Sequence, residues 1–170
     1  MRPWWIALAL GCWACDHGLG PGPEGMTGIA GRLSFAGEWP ADVGQVAVAV
    51  YEEMPRSVAD LFELSGWDTG VEIGSPTYEY FVPIERDGTY RWVVVAWRRS
   101  EGFWDFRSLL GCYHAAGDTL PTPVTVLLGQ VTGGIDIQVD LRVLRGEEVP
   151  GNNICQRGLP PELASLDSGG

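Results

Sequence analysis

Four cysteines and two histidines are the residues of this chain best suited to covalent or metal chemistry. Cys112 and Cys155 are the sharpest pair, because two thiols left in an oxidising compartment bond to each other. Their separation of 43 residues would fasten the C-terminal segment to the loop before the fifth expected strand. The rival chemistry is a metal site from Cys112, His114 and Cys155. It lacks a fourth ligand and any Cys-x-x-Cys or His-x-x-x-His spacing, so a disulfide is expected and no metal. Nucleophilic catalysis needs a base beside the nucleophile and a group that orients the base. His17 lies in a Gly/Pro-rich stretch, His114 follows a bridge cysteine, and no Gly-x-Ser-x-Gly elbow occurs. Carboxylates about 5–10 Å apart in a cleft can hydrolyse glycosides. However, Asp136 and Asp140 share the outer face of one strand, and Glu52-Glu53 and Glu147-Glu148 read as solvated ends of elements. Gly18, Gly20 and Gly22 are no phosphate loop, since no strand precedes them and no helix follows. No catalytic residue and no cofactor is assigned.

The aromatic run is the constellation with most to offer a ligand. Trp97, Phe103, Trp104 and Phe106, with Tyr113 nearby, gather around Arg98, Arg99 and Arg107. Rings exposed at loop tips stack on sugars, and Trp with Arg is enriched where proteins bind partners. The plainer reading is that these rings cap one end of the fold beneath the disulfide. A protein or glycan ligand belongs to the first reading and none to the second.

Charge narrows the partners. All eleven basic residues are Arg, and against 22 acidic ones the net charge is -11. Such a surface repels phosphate backbones, which excludes nucleic acid as a partner. The hydrophobic share of 45% is enough for a packed core in a chain of 170 residues.

The N-terminus carries a compartment signal. Met1-Arg2-Pro3 is a short positive start, Trp4 to Leu10 is apolar throughout, and Gly11, Cys12, Ala14 and Cys15 follow where a signal peptide is cut. The run is too short to span a bilayer, which takes about 20 apolar residues. It resembles a bacterial lipoprotein signal, whose cysteine becomes the acylated N-terminus. Cys12 follows the better small-residue pattern. Cys15 leaves a signal of more normal length and only Cys112 and Cys155 as free side chains. The expectation is export, with a lipid anchor on one of the two holding the chain to a membrane on the periplasmic or cell-surface side.

The elements that position these groups follow from period and punctuation. Residues 1–15 form the signal, 16–25 (Asp16 to Gly25) a Gly/Pro-rich tether, 26–145 one domain, and 146–170 a proline-broken tail docked in part by the disulfide. In that reading Gln156 to Gly170 stays loose. Ile29 to Phe35, Val46 to Val50 and Ile135 to Leu141 alternate with the period of half-buried strands. Val93-Val94-Val95 is apolar on both faces, the mark of a central strand. Asp87-Gly88, between the apolar runs 77–84 and 90–97, predicts a tight hairpin. Val124 to Leu128 reads as a short strand, while 66–76 and 102–117 read as loops. Ser57 to Leu64 fits either two turns of helix capped by Ser57 and Asp60 or an irregular connection. About six or seven short strands separated by turns predict an all-β sandwich.

These residues resemble a known pattern. Gly28-Ile29-Ala30-Gly31-Arg32-Leu33 is similar to the opening strand of carboxypeptidase-regulatory-like (transthyretin-like, prealbumin-like) domains. Phe81, Ile84, Gly88 and Tyr90 resemble their aromatic hairpin, and Pro123 to Val126 with Gly134 to Ile137 their last two strands. The resemblance covers most of residues 26–142. It implies a Greek-key sandwich of about seven strands in an exported lipoprotein, accessory or structural, with no shared active site.

Overall fold

The computed structural model describes residues 25–104, 108–147, 149, 152–160 and 163. The expected signal, nearly all of the tether, both candidate acylation cysteines and Phe106 lie outside the described residues. Among the described residues the elements are strands and short 3-10 turns, with no helix of seven residues or more, so the protein is all-β.

Two sheets face each other across the main core. The first contains β1 (Gly28–Ala36), β4 (Thr77–Pro83), β9 (Val131–Thr132) and β10 (Ile137–Asp140). Here β1 pairs antiparallel with β4 on one edge and parallel with β9 and β10 on the other. The second sheet runs in the order β3 (Gly66–Asp68), β2 (Val43–Tyr51), β6 (Trp92–Arg99), β7 (Leu109–Cys112), with every pair antiparallel. A small ribbon joins β5 (Gly88–Tyr90) to β8 (Val124–Val126).

The alternating valines point inward as their period requires. Ile29 and Leu33 from β1, Val46, Val48 and Val50 from β2, Val93 and Val95 from β6, and Ile137 and Val139 from β10 are buried together. The other face of β6 is buried too. Trp92 and Val94 join Ala49, Tyr51, Leu109, Cys112, Cys155, Leu159 and Leu163 in a second apolar cluster on the outside of the second sheet. That double burial is why 92–95 is apolar on both faces and central.

Several expectations are corrected. Ten strands occur among the described residues in place of about seven, because short pieces of two to four residues add to the long ones. Stretches 66–76 and 102–117, expected as loops, supply β3 and β7. The Asp87-Gly88 hairpin does not form. β4 lies in the first sheet and β6 in the second, and Gly88 lacks the positive φ of a tight hairpin turn. Both flanking strands need inward faces on opposite sides of one core, and that demand outweighs the local turn preference. The 57–64 segment holds one 3-10 turn, Ala59–Phe62, and not two turns of helix. Its N-cap is Val58 and not the expected Ser57, but Ser57 and Asp60 do bond: Ser57 Oγ donates to Asp60 Oδ1 at 2.7 Å, and the Arg56 and Ser57 backbone N–H groups donate to Oδ2 at 2.7 and 3.1 Å. The tail is docked beyond Gln156, since Leu159 and Leu163 are buried.

Cys112 and Cys155 are disulfide-bonded, with Cα atoms 5.4 Å apart. The bond ties the 3-10 turn Asn152–Gln156 to β7.

Candidate functional site

The outer face of the second sheet is assembled in rows by its register. Tyr51 pairs with Trp92 in the first row. Ala49 pairs with Trp67 on one side and Val94 on the other in the second. Ala47 pairs with Ala96, and Ala96 with Leu109, in the third, and Gln45 pairs with Arg98 in the fourth. The tail covers part of this face. What it leaves open is an apolar groove of about 90 Å³.

The floor is made of small residues, Ala47, Ala49 and Ala96 with Val94, and the walls are large rings. Tyr51 and Trp92 close one end, their ring centroids 5.4 Å apart. Leu61, Phe62 and Leu64 come in from the 3-10 segment, Trp67 from β3, and Trp104 and Leu109 from the opposite side. Phe62 and Trp67 are 71% and 54% exposed, unusual for rings beside a core.

Hydrogen bonds hold the walls in place. The Tyr51 hydroxyl donates to the Leu61 carbonyl at 2.9 Å, pinning the 3-10 segment to the groove's rim. Burial pushes the Tyr51 phenol up to about 12, so it stays a donor at any ordinary pH. Trp92 is fully buried, and its indole N–H donates to the Cys155 carbonyl at 3.1 Å. Both bridge cysteines thus share an apolar cluster with Trp92 at the groove's closed end.

The five expected binding aromatics do not form one platform. Trp97 and Tyr113 are half-buried against the main core, where β6 and the chain after β7 turn them inward. Trp104 lines the groove on the other side of the sheet. Phe103 is 90% exposed and Phe106 lies outside the described residues. The remaining groove residues, from Ala47 to Trp67, were not anticipated. Their one signal was Val46-Ala47-Val48-Ala49-Val50-Tyr51, where every outward position before the tyrosine is small.

Of the carboxylates weighed for catalysis, Glu148 lies outside the described residues and the others are engaged with arginines or with the backbone. Glu52 pairs with Arg86 at 3.7 Å, Glu53 with Arg91 at 3.1 Å, Glu147 with Arg145 at 3.0 Å, and Asp140 with Arg142 at 2.6 Å. The Arg142 hydrogen bond holds the Asp140 carboxyl below its usual range. Asp136 accepts the Arg32 backbone N–H at 2.9 Å. Among the described residues no three His, Cys, Asp or Glu side chains cluster closely enough to hold a metal ion. His114 is exposed beside a second hollow of about 420 Å³ between β7 and the β1–β10 edge.

Comparison with protein-family models, with curated proteins and with solved structures finds no match.

Proposed function

We propose that the protein is a non-catalytic binding module of the bacterial cell envelope, exported and held to a membrane by an acyl anchor on Cys15 or Cys12. Its ligand site is the aromatic groove on the outer face of the second sheet. The observation that carries this reading is the groove itself: a floor of alanines ringed by Trp67, Phe62 and Trp104 on a face otherwise buried under a disulfide-tied tail. Ligand sites are concave and mostly apolar, and exposed rings around a hollow mark recognition surfaces.

The anchor has separate support at one pole of the fold. The turn after β8 exposes Leu127 and Leu128, and Met26 is exposed at the domain's start. The Gly129 backbone N–H donates to Thr27 Oγ1 at 2.7 Å, so this apolar turn lies where the N-terminal segment joins the domain. A chain tethered there presents two leucines toward the bilayer. Among the described residues no helix is long and apolar enough to cross a membrane. The transthyretin-like Greek-key assignment belongs to the same reading. It is supported by the two facing sheets and by glycines at close backbone approaches in β1.

The test is binding of a neutral fluorescent probe, N-phenyl-1-naphthylamine, to the purified chain. The wild type should enhance its emission saturably. Ala96→Leu, which raises the floor, should abolish the enhancement with the melting temperature kept. Equal emission from both proteins would remove the groove as the ligand site.

A further inference from the structure

The groove is apolar along its length and changes character at one end. Arg98 follows Ala96 by one alternate position on the same face of β6, next to the open end of the floor and opposite the end closed by Tyr51 and Trp92. Its guanidinium lies 5.8 Å from the centroid of the Trp104 ring, a ring that also lines the groove. Nε donates to Gln45 Oε1 at 3.0 Å, and one terminal nitrogen reaches the carbonyls of Ser100 and Gly102 at 3.5 Å. All of these acceptors are neutral.

That environment differs from that of most other described arginines. Arg32, Arg86, Arg91, Arg99, Arg142 and Arg145 each face a carboxylate. Among the described residues Arg98 has no carboxylate within ion-pairing distance, in a chain where acids outnumber bases two to one. Its neighbour Arg99 is occupied by Asp42 at 2.7 Å. The Gln45 contact and the Trp104 ring hold the guanidinium in a fixed orientation without neutralising it. A planar guanidinium held that way is suited to a carboxylate.

We infer that the groove takes an alkyl chain ending in a carboxylate, a free fatty acid, with the carboxylate on Arg98 and the chain along the alanine floor toward Tyr51 and Trp92. This rests on the groove being the ligand site. Alternate positions on a strand lie about 6.8 Å apart, so the path from Arg98 to the Trp92 row is about 20 Å. That length suits an extended chain of ordinary fatty-acid size, one side of which lies in the trough of about 90 Å³. The protein's own acyl anchor has no free carboxylate, so Arg98 favours a separate molecule over the anchor's chains.

The experiment displaces N-phenyl-1-naphthylamine with dodecanoate and with dodecanol, ligands alike in chain and different in charge. It uses the full-length lipidated protein and, alongside it, the Cys12→Ser, Cys15→Ser chain. Dodecanoate should displace the probe at about tenfold lower concentration than dodecanol, a difference of about 1.4 kcal/mol. Arg98→Gln should bring the dodecanoate value to that of dodecanol, and Arg98→Lys should retain part of the preference. Equal displacement by the two ligands from the wild type would overturn the carboxylate assignment and leave the groove as an apolar site. Failure of both ligands and the probe would overturn the groove reading itself. Binding by the double-serine chain but not by the lipidated one would show the anchor occupying the groove, and would overturn a free fatty acid as its ligand.

Discussion

Removing the disulfide by Cys112→Ser with Cys155→Ser tests how the tail, the second apolar cluster and the groove depend on one another. The bond spans 43 residues, and closing a loop of that size removes entropy from the unfolded chain equivalent to about 4 kcal/mol. Domains are stable by about 5–15 kcal/mol, so the loss is a large share. What the tail then does follows from a second comparison. Leu159 and Leu163 are buried, and each contributes about 1.5–3 kcal/mol by leaving water. The bond carries Cys155 to β7 and so brings both leucines to the sheet. Without it their burial must offset the ordering of the whole freed segment, at about 1–2 kcal/mol per residue, and the tail leaves the sheet. Undocking relieves part of the penalty, so about 4 kcal/mol is the ceiling on the global loss.

The expected result is a melting temperature lowered by up to about 8–16 °C, at about 2–4 °C per kcal/mol for a chain of this size, with the far-ultraviolet sheet signal kept. Limited trypsin digestion reads the tail separately. Cleavage after Arg157 should be slow in the wild type, where the residue lies between the buried Cys155 and Leu159, and fast in the variant. A variant that melts with the wild type and keeps its tail protected would refute the reasoning. So would two free thiols on titration of the folded wild type.

Further outcomes follow from other parts of the fold. Gly31→Ala should destabilise severely or prevent folding, because a Cβ there would sit 2.1 Å from the Ile135 carbonyl oxygen; soluble expression and thermal melting decide it, with Ala30→Gly as a tolerated neighbour. Tyr51 titrates near 12 in the fold and near 10 unfolded, so its contribution is present below about pH 10 and lost as pH rises toward 12. That loss is at most about 2–3 kcal/mol, and alkaline unfolding of Tyr51→Phe should lack this share of the pH dependence. The mature chain should partition into detergent and carry fatty acyl mass on Cys15 or Cys12 by mass spectrometry; an unmodified, soluble N-terminus beyond residue 15 would exclude the anchor.

The parts of the fold legible in the sequence are those fixed by side-chain period. Val46, Val48 and Val50 alternate and are buried inward, and Ile137 and Val139 do the same from β10. The doubly apolar 93–95 run was central for the reason its composition gave. The glycines of the opening strand also have a physical cause. A Cβ on Gly28 would meet the Val82 carbonyl oxygen at 2.5 Å, and one on Gly31 would meet that of Ile135. Pairing partners were less legible. Asp87-Gly88 is a local preference, whereas the assignment of β4 and β6 to opposite sheets is a property of the whole core. The tail misled in a similar way. Its prolines and glycines mark a broken backbone, but Leu159 and Leu163, four residues apart, are apolar enough to be pulled down once Cys155 is tied to β7.

The groove was hidden because it belongs to no segment. Its floor exists only where Ala47 faces Ala96 and Ala49 stands between Trp67 and Val94, and those pairings join residues up to about 50 positions apart. The aromatic run drew attention for its density, yet β6 alternates, so Trp97 must face the core while Ala96 and Arg98 face outward. Trp104, placed beyond the strand, turns to the outer side. Small outward residues on two central strands leave a shallow trough that either another element fills or a ligand does. The tail packs beside Trp92, where the disulfide anchors it, and Tyr51, Trp67, Phe62 and Trp104 stand around the part of the face it does not reach. The covalent tie that completes the second cluster therefore also sets where that cover ends and the open site begins.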